Sequence, residues 1–168
     1  MIRFAFFFSI IFATSCSFKG LPKSSSANAL SLTSTQKTKA MTVVEEAKKY
    51  LGTTYKYAGN DKKGIDCSGL TCRAYESISV KLPRIAGDQT KSGIKVKAGD
   101  LQIGDLVFFK ASKKSSSKIT HVGLVSAVNE PSKNVVFIHA STSKGVMESQ
   151  LFSDYWKPLI VDMVRVIK

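Results

Sequence analysis

The second half of the chain alternates short apolar runs with breaks of Gly, Asn, Pro and Ser, a pattern typical of β-strands joined by hairpins. Four runs predict strands, namely Asp105–Lys110, Ile119–Asn129, Val135–Ala140 and Leu159–Ile167. The polar, basic segment Lys113–Lys118, between the first two runs, is interpreted as a solvated hairpin loop. We therefore expect the C-terminal part of the chain to form an antiparallel sheet.

Three helices are predicted before this sheet. The first spans Thr42–Leu51, with Thr42 as its N-cap and Glu45 as the capping-box partner. The second starts at Asp66 or Cys67 and ends near residue 77, and a short third helix covers residues 85–92. Helices followed by antiparallel strands predict an α+β fold.

The N-terminus carries an apolar stretch preceded by one basic residue. Arg3 stands before about ten mostly apolar residues at positions 4–13, the length of the hydrophobic region of an export signal and too short for a membrane-spanning helix. The stretch ends in the small residue Ala13, and Thr14, Ser15 and then Cys16 follow. This block resembles a bacterial lipoprotein signal, in which Cys16 would be diacylated and become the mature N-terminus. The alternative is an ordinary signal peptide with an incidental cysteine.

The rest of the chain divides into a polar segment and a folded domain. Residues 16–40 are rich in Ser, Thr, Lys and Asn and nearly lack large apolar side chains, which predicts a flexible tether. Residues 41–168 have the length and composition of one globular domain. The predicted organisation is therefore a signal peptide at 1–15, a lipid-anchored tether at 16–40 and the domain at 41–168.

The composition is strongly basic. Lys and Arg number 25 against 12 Asp and Glu, and the formal net charge is +13. Such an excess indicates an anionic partner, and because only Arg3 lies in the predicted signal, the excess belongs to the exported part. Export argues against a nucleic acid and favours lipid head groups or cell-wall carboxylates. Three cysteines and two histidines are too few for a disulfide scaffold or a metal cage built from histidines.

Cys67 is the candidate nucleophile. It stands where a loop gives way to the predicted second helix, with Asp66 as the N-cap. The positive end of a helix dipole favours the thiolate, so the sequence predicts a lowered thiol pKa. Taken alone, a single cysteine is more often a buried structural residue. Cys72 lies on another side of the same helix and is interpreted as a core residue, since a disulfide within one helix is geometrically implausible.

The two histidines are the candidate bases for this cysteine. His121 lies at the start of one predicted strand and His139 at the end of the next. Neighbouring antiparallel strands can bring them side by side, so that one imidazole accepts the Cys67 proton and the other orients it. The alternative is that both histidines are structural residues of the core with no catalytic role. A zinc site that includes Cys67, Cys72 and both histidines is poorly spaced.

Six ordered motifs make the domain recognisable. They are Tyr55–Gly59, Gly64–Leu70, Leu82–Arg84, Gly104–Phe109, His121–Gly123 and Ile138–Ser141. On these motifs the chain resembles the NlpC/P60 family of cell-wall cysteine peptidases, particularly its small lipoprotein members. One departure is Ala58, where the family usually has the first of two glycines.

The resemblance implies a papain-like α+β fold, in which the helix of the nucleophile packs on an antiparallel sheet that supplies both histidines. It implies cleavage of peptidoglycan stem peptides, often between D-γ-glutamate and a diamino acid, without metal or cofactor. By motif match, Cys67 is the nucleophile, His121 the general base and then acid, and His139 the orienting residue. Tyr55 corresponds to a family tyrosine beside the cysteine and is expected, by the resemblance, to contact substrate.

By the same resemblance, Asp66 and Ser68 flank the nucleophile where family members bind substrate. We expect a monomer in the cell envelope, anchored to the membrane through Cys16, and Ser17 is compatible with the outer membrane facing the periplasm. Two alternatives stay open. One is an amidase or acyltransferase of the same fold acting on another amide or a lipid, and the other is a non-catalytic, wall-binding lipoprotein.

Overall fold

The computed structural model describes residues 32–129 and 134–168. The predicted signal peptide, the lipidation site at Cys16 and most of the predicted tether lie outside the described residues. Within them, no helix is both long enough and apolar enough to cross a membrane.

The first helix, α1, is longer than predicted. It spans Ser34–Lys48, and Thr33 rather than Thr42 is its N-cap, in a capping box with Gln36. Ala40 is fully buried. The predicted boundary between tether and domain at residue 40 is therefore wrong, because the last part of that polar segment is helical and contributes to the core.

The other two helices lie where they were predicted. Helix α2 spans Cys67–Glu76, and the side chain of its N-cap, Asp66, accepts a hydrogen bond of 2.7 Å from the Gly69 N–H. Helix α3 spans Ala86–Gln89 and continues into a single 3₁₀ turn. Asp66 thus closes the first turn of α2 and fixes the position of Cys67 at its start.

The described residues contain eight strands, six of which form one antiparallel sheet. The bounds are β1 Asn60–Asp61, β2 Gly64–Ile65, β3 Ile94–Lys95, β4 Leu106–Lys110, β5 Ile119–Asn129, β6 Asn134–Ser141, β7 Gly145–Gln150 and β8 Ile160–Arg165. The order in the sheet is β3-β8-β4-β5-β6-β7, and β1 pairs with β2 in a separate ribbon. The four predicted strands are confirmed, and the strands that the sequence did not predict are β1, β2, β3 and β7.

The sheet is covered on both faces. On one face, Val122 and Ile138 pack with α1 and α2 in a first core. On the other, Phe109 and Phe137 pack in a second core with the partly buried Trp156. Because both faces are buried, the strands read as continuous apolar runs.

A buried ion pair joins the start of β4 to the last strand. Arg165 donates from Nε to Asp105 Oδ1 at 2.9 Å and from Nη2 to Asp105 Oδ2 at 2.8 Å. Their side chains are only 7% and 2% exposed. Such bidentate geometry compensates part of the cost of burying two charges.

Candidate active site

Cys67 is the first residue of α2 and is 7% exposed. Burial raises the pKa of its thiol, and this outweighs the opposing effect of the backbone N–H groups of Val122, Ser68 and Cys67 itself. The sequence-based expectation of a lowered thiol pKa is therefore wrong. The physical reason is that loss of solvent around the sulfur outweighs the stabilising effect of the helix N-terminus.

The two histidines meet as predicted. His121 Nε2 lies 3.1 Å from His139 Nδ1, and the two rings are almost perpendicular. The other nitrogen of the second ring, His139 Nε2, lies 3.1 Å from Ser149 Oγ. Ser149 belongs to β7, so the sequence analysis missed it together with its strand.

Aromatic side chains hold both imidazoles. His121 stacks on Trp156 and His139 stacks on Phe137, each pair with an interplanar angle of 18°. Burial lowers the pKa of His121 to about 4. Burial, and secondarily the neighbouring His121, lower the pKa of His139 to about 3. Both rings are consequently neutral at neutral pH, and a neutral imidazole can accept a proton.

The thiol approaches the same strand without reaching an imidazole. No hydrogen bond among the described residues joins Cys67 Sγ to either histidine, whereas the backbone N–H of Val122 acts to lower the pKa of the thiol, against the larger effect of burial. Val122 directly follows His121, whose Nδ1 makes no hydrogen bond with any residue that the structure describes. Hydrogen bonds of catalytic groups are often long in the free enzyme and tighten with substrate.

The three residues predicted to contact substrate line one cavity of about 290 Å³ together with the thiol. Tyr55, Asp66 and Ser68 all face this cavity, and so does Arg84. Burial raises the pKa of Tyr55, with a smaller contribution from Cys67, so its hydroxyl remains a hydrogen-bond donor.

Arg84 organises the acidic wall of this cavity. Its guanidinium donates to Asp66 Oδ1 at 2.9 Å, to Asp66 Oδ2 at 2.7 Å and to Ser68 Oγ at 2.8 Å. Burial acts to raise the pKa of Asp66, but the hydrogen bonds from Arg84 and Gly69 hold it below its usual value. No role of Arg84 was predicted from the sequence, although Arg84 is the last residue of the motif Leu82–Arg84.

A second cavity, of about 600 Å³, contains the imidazole pair. His121 and His139 line it, and Lys110 and Lys144 contribute positive charge. Thr120 lines both cavities, so the thiol side and the imidazole side of the site adjoin at this residue.

The second cysteine of α2, Cys72, is a packing residue. Cys72 is partly buried against the first core, and its Sγ is 3.5 Å from Gln89 Nε2. Cys67 and Cys72 are both free thiols. Within residues 32–129 and 134–168, no cluster of three or more His, Cys, Asp or Glu side chains could hold a metal ion.

The chain is similar in sequence to known proteins of one family. The sequence model of the protein family described as NlpC/P60 family matches residues 52–165 of this chain. The murein DD-endopeptidase MepS/murein LD-carboxypeptidase of Escherichia coli K12 is 35% identical over 126 residues, which cover 74% of this chain and 62% of that protein. The probable endopeptidase NlpC of the same organism is 38% identical over 114 residues, or 67% of this chain and 69% of the relative.

Solved structures show the same fold. An NlpC/P60 family protein from Bacillus cereus matches with a TM-score of 0.67 at 27% identity, covering 77% of this chain and 40% of that chain. The chain spans 62% of the length of the MepS relative, so it corresponds to only part of that protein. The predicted family and the α+β fold are confirmed by these similarities.

Proposed function

Since the chain belongs to the NlpC/P60 family, we propose that it is a cysteine endopeptidase that hydrolyses peptidoglycan stem peptides at the bond between D-γ-glutamate and a diamino acid. One observation carries this proposal. His121 and His139 form a hydrogen-bonded pair of neutral imidazoles, and the cavity that they line adjoins the cavity of the Cys67 thiol at Thr120. Relatives named as endopeptidases and as a γ-DL-glutamyl hydrolase of Bacillus subtilis support the substrate class.

The first chemical step is attack on the amide carbonyl. The neutral His121 accepts the thiol proton at Nδ1, and the Cys67 sulfur forms a bond to the carbonyl carbon. Negative charge then develops on the carbonyl oxygen. The backbone N–H groups at the start of α2 and the Tyr55 hydroxyl are the donors that stabilise it.

The second step releases the amine. The imidazolium of His121 gives its proton to the leaving nitrogen as the carbon–nitrogen bond breaks, which leaves a thioester on Cys67. Water, deprotonated by His121, then hydrolyses the thioester and restores the thiol. His139 holds the His121 ring through the 3.1 Å hydrogen bond during both steps.

The two cavities accommodate the two halves of the substrate. The smaller cavity, with Asp66 and Arg84, receives the acyl half, because it surrounds the attacking sulfur. The larger cavity receives the amine half, because the imidazole that protonates the leaving nitrogen lines it. Lys110 and Lys144 in that cavity suit a fragment that bears carboxylates.

The cellular location is a second part of the proposal. The export signal and Cys16 support a lipid-anchored protein in the cell envelope, in the outer membrane and facing the periplasm. Cys16→Ser should leave an unlipidated precursor that partitions into the aqueous phase of a detergent extraction. If wild type and Cys16→Ser partition equally into the aqueous phase, the anchor proposal is wrong.

Digestion of purified peptidoglycan tests the activity. The wild-type protein should release fragments whose masses place the cut between D-γ-glutamate and the diamino acid. Cys67→Ala should abolish this release, whereas Cys72→Ala, the matched control, should keep it, because Cys72 is a packing residue. Substantial cleavage by Cys67→Ala would refute the mechanism, and folded wild-type protein that releases no fragment would favour a binding lipoprotein or an enzyme with another substrate.

A further inference from the structure

We propose that Ser149 is a positioning residue of this site, which fixes the tautomers of both histidines so that His121 Nδ1 is free to accept a proton. This inference rests on the proposed cysteine peptidase mechanism and adds a fourth residue to Cys67, His121 and His139. Ser149 Oγ lies 3.1 Å from His139 Nε2, and His139 Nδ1 lies 3.1 Å from His121 Nε2.

The register of the sheet places this hydroxyl. Ser149 on β7 pairs with Phe137 on β6, two residues before His139. Side chains two residues apart on a strand face the same side of a sheet, so Ser149 and His139 are diagonal neighbours on the face that carries Phe137. Trp156 covers the same face, with its ring centroid 4.9 Å from that of His139. The serine is thus held beside the ring by backbone pairing.

The number of protons on the two imidazoles determines whether Ser149 donates or accepts its hydrogen bond. Each neutral imidazole has one N–H donor and one nitrogen acceptor. For His121 to accept the thiol proton at Nδ1, its own proton must be on Nε2, where it is donated to His139 Nδ1. His139 must then carry its proton on Nε2 and donate it to Ser149 Oγ. In the productive arrangement the Ser149 hydroxyl therefore acts as the hydrogen-bond acceptor of His139.

The opposite arrangement is unproductive. If His139 carries its proton on Nδ1, it donates to His121 Nε2, and the His121 proton moves to Nδ1, where it blocks the approach of the thiol proton. Because burial keeps both rings neutral, each ring carries one proton and can adopt either tautomer. In the unproductive arrangement the Ser149 hydroxyl donates to the unprotonated Nε2 of His139, so removing it takes a hydrogen bond from either tautomer. An orphaned N–H is tolerated less often than an acceptor without a donor, so the removal favours the unproductive tautomer.

Nitrogen NMR measures the tautomers directly. The chain has only two histidines, so a long-range ¹H–¹⁵N spectrum of the ¹⁵N-labelled protein contains two imidazole patterns. At neutral pH both rings of the wild-type protein should carry the proton on Nε2. In Ser149→Ala the pattern of His139 should shift towards the Nδ1–H tautomer, and Ser149→Thr, which keeps a hydroxyl, should restore the wild-type pattern.

Kinetics supply the second readout. Ser149→Ala should lower kcat for stem-peptide cleavage roughly 10- to 100-fold, the effect of one unsatisfied buried donor, with little change in KM. Ser149→Thr should recover most of the loss. Ser117→Ala, at an exposed position in the loop between β4 and β5, is the matched control and should behave as wild type.

A wild-type spectrum with the His139 proton on Nδ1 would overturn the inference, and so would an unchanged kcat in Ser149→Ala. The spectrum needs no substrate. If the expected tautomers are found in a protein that releases no fragment from peptidoglycan, the proposed function fails while the role of Ser149 in fixing the tautomers stands.

Discussion

The buried imidazole pair should make the protein unstable in mild acid. An unfolded histidine has a pKa of about 6.5, whereas burial lowers that of His121 to about 4 and that of His139 to about 3. Between these values the unfolded chain binds more protons than the folded one, so stability falls as the pH falls. The contribution of the two neutral rings to the free energy of unfolding is fully present above about pH 6.5. It is lost progressively as the pH approaches 4 and then 3.

The magnitude follows from the two shifts. Between pH 8 and pH 5 each histidine should lower the free energy of unfolding by roughly 2 kcal/mol, and the pair by roughly 4 kcal/mol. A small domain has a total stability of about 5–15 kcal/mol. Acidification to pH 5 should therefore remove a large part of the stability, before most carboxylates titrate.

Urea denaturation at pH 8 and pH 5, followed by circular dichroism, measures this loss. His139→Asn should lose about half of the difference, because one of the two titrating rings is gone, and the double variant with His121→Asn should lose nearly all of it. Asp66, whose pKa lies below its usual value, stays ionised in this range and contributes little. Equal unfolding free energies of the wild type at the two pH values would show that the rings are protonated without cost, and would refute the reasoning.

Three further predictions concern single residues. Ala58 has a positive φ of 59°, so Ala58→Gly should raise the free energy of unfolding by about 0.5–1 kcal/mol, and a lower thermal midpoint would contradict this. Asp105→Asn removes the carboxylate to which Arg165 donates and should destabilise the fold by about 3–5 kcal/mol in denaturant titrations, and a loss below about 1 kcal/mol would contradict the importance of the pair. His121→Asn should abolish peptidoglycan cleavage, because an amide cannot exchange the proton, whereas His139→Asn should keep a measurable rate, and the opposite result would exchange the two roles.

The elements that the sequence predicted correctly are those whose signals are local. Asp66 before the motif around Cys67 marks the start of α2. Strand β5 agrees with its prediction at both ends, because apolar residues predominate between the two polar breaks that flank it. Helix α1 was predicted too short, since its first two turns are polar and only one face needs to be apolar. Strand β7 was missed because Val146 and Met147 are its only large apolar residues.

The sequence pointed to residues of the candidate site, but it gave no measure of their protonation states. The order of motifs pointed to Cys67, His121 and His139, whereas Ser149 gave no signal because its neighbours on β7 gave none. The protonation states depend on how much solvent the fold removes, which a linear pattern does not encode. At Cys67 the helix N-terminus and burial act in opposite directions, and only the packed structure shows that burial is the larger effect.

The pKa shifts of the thiol and of the imidazole have one consequence for the mechanism. Burial raises the pKa of the thiol and lowers that of the imidazole, so both shifts disfavour a resting thiolate–imidazolium pair and favour a neutral thiol beside a neutral base. Charge separation is then costly until a carbonyl is present to accept the electron pair of sulfur and donors are present to stabilise its oxygen. A neutral His121 accepts a proton at one nitrogen only, so its activity as a base depends on which nitrogen is protonated. In the proposed mechanism, the choice of which His139 nitrogen carries the proton, beside Ser149, is therefore part of catalysis.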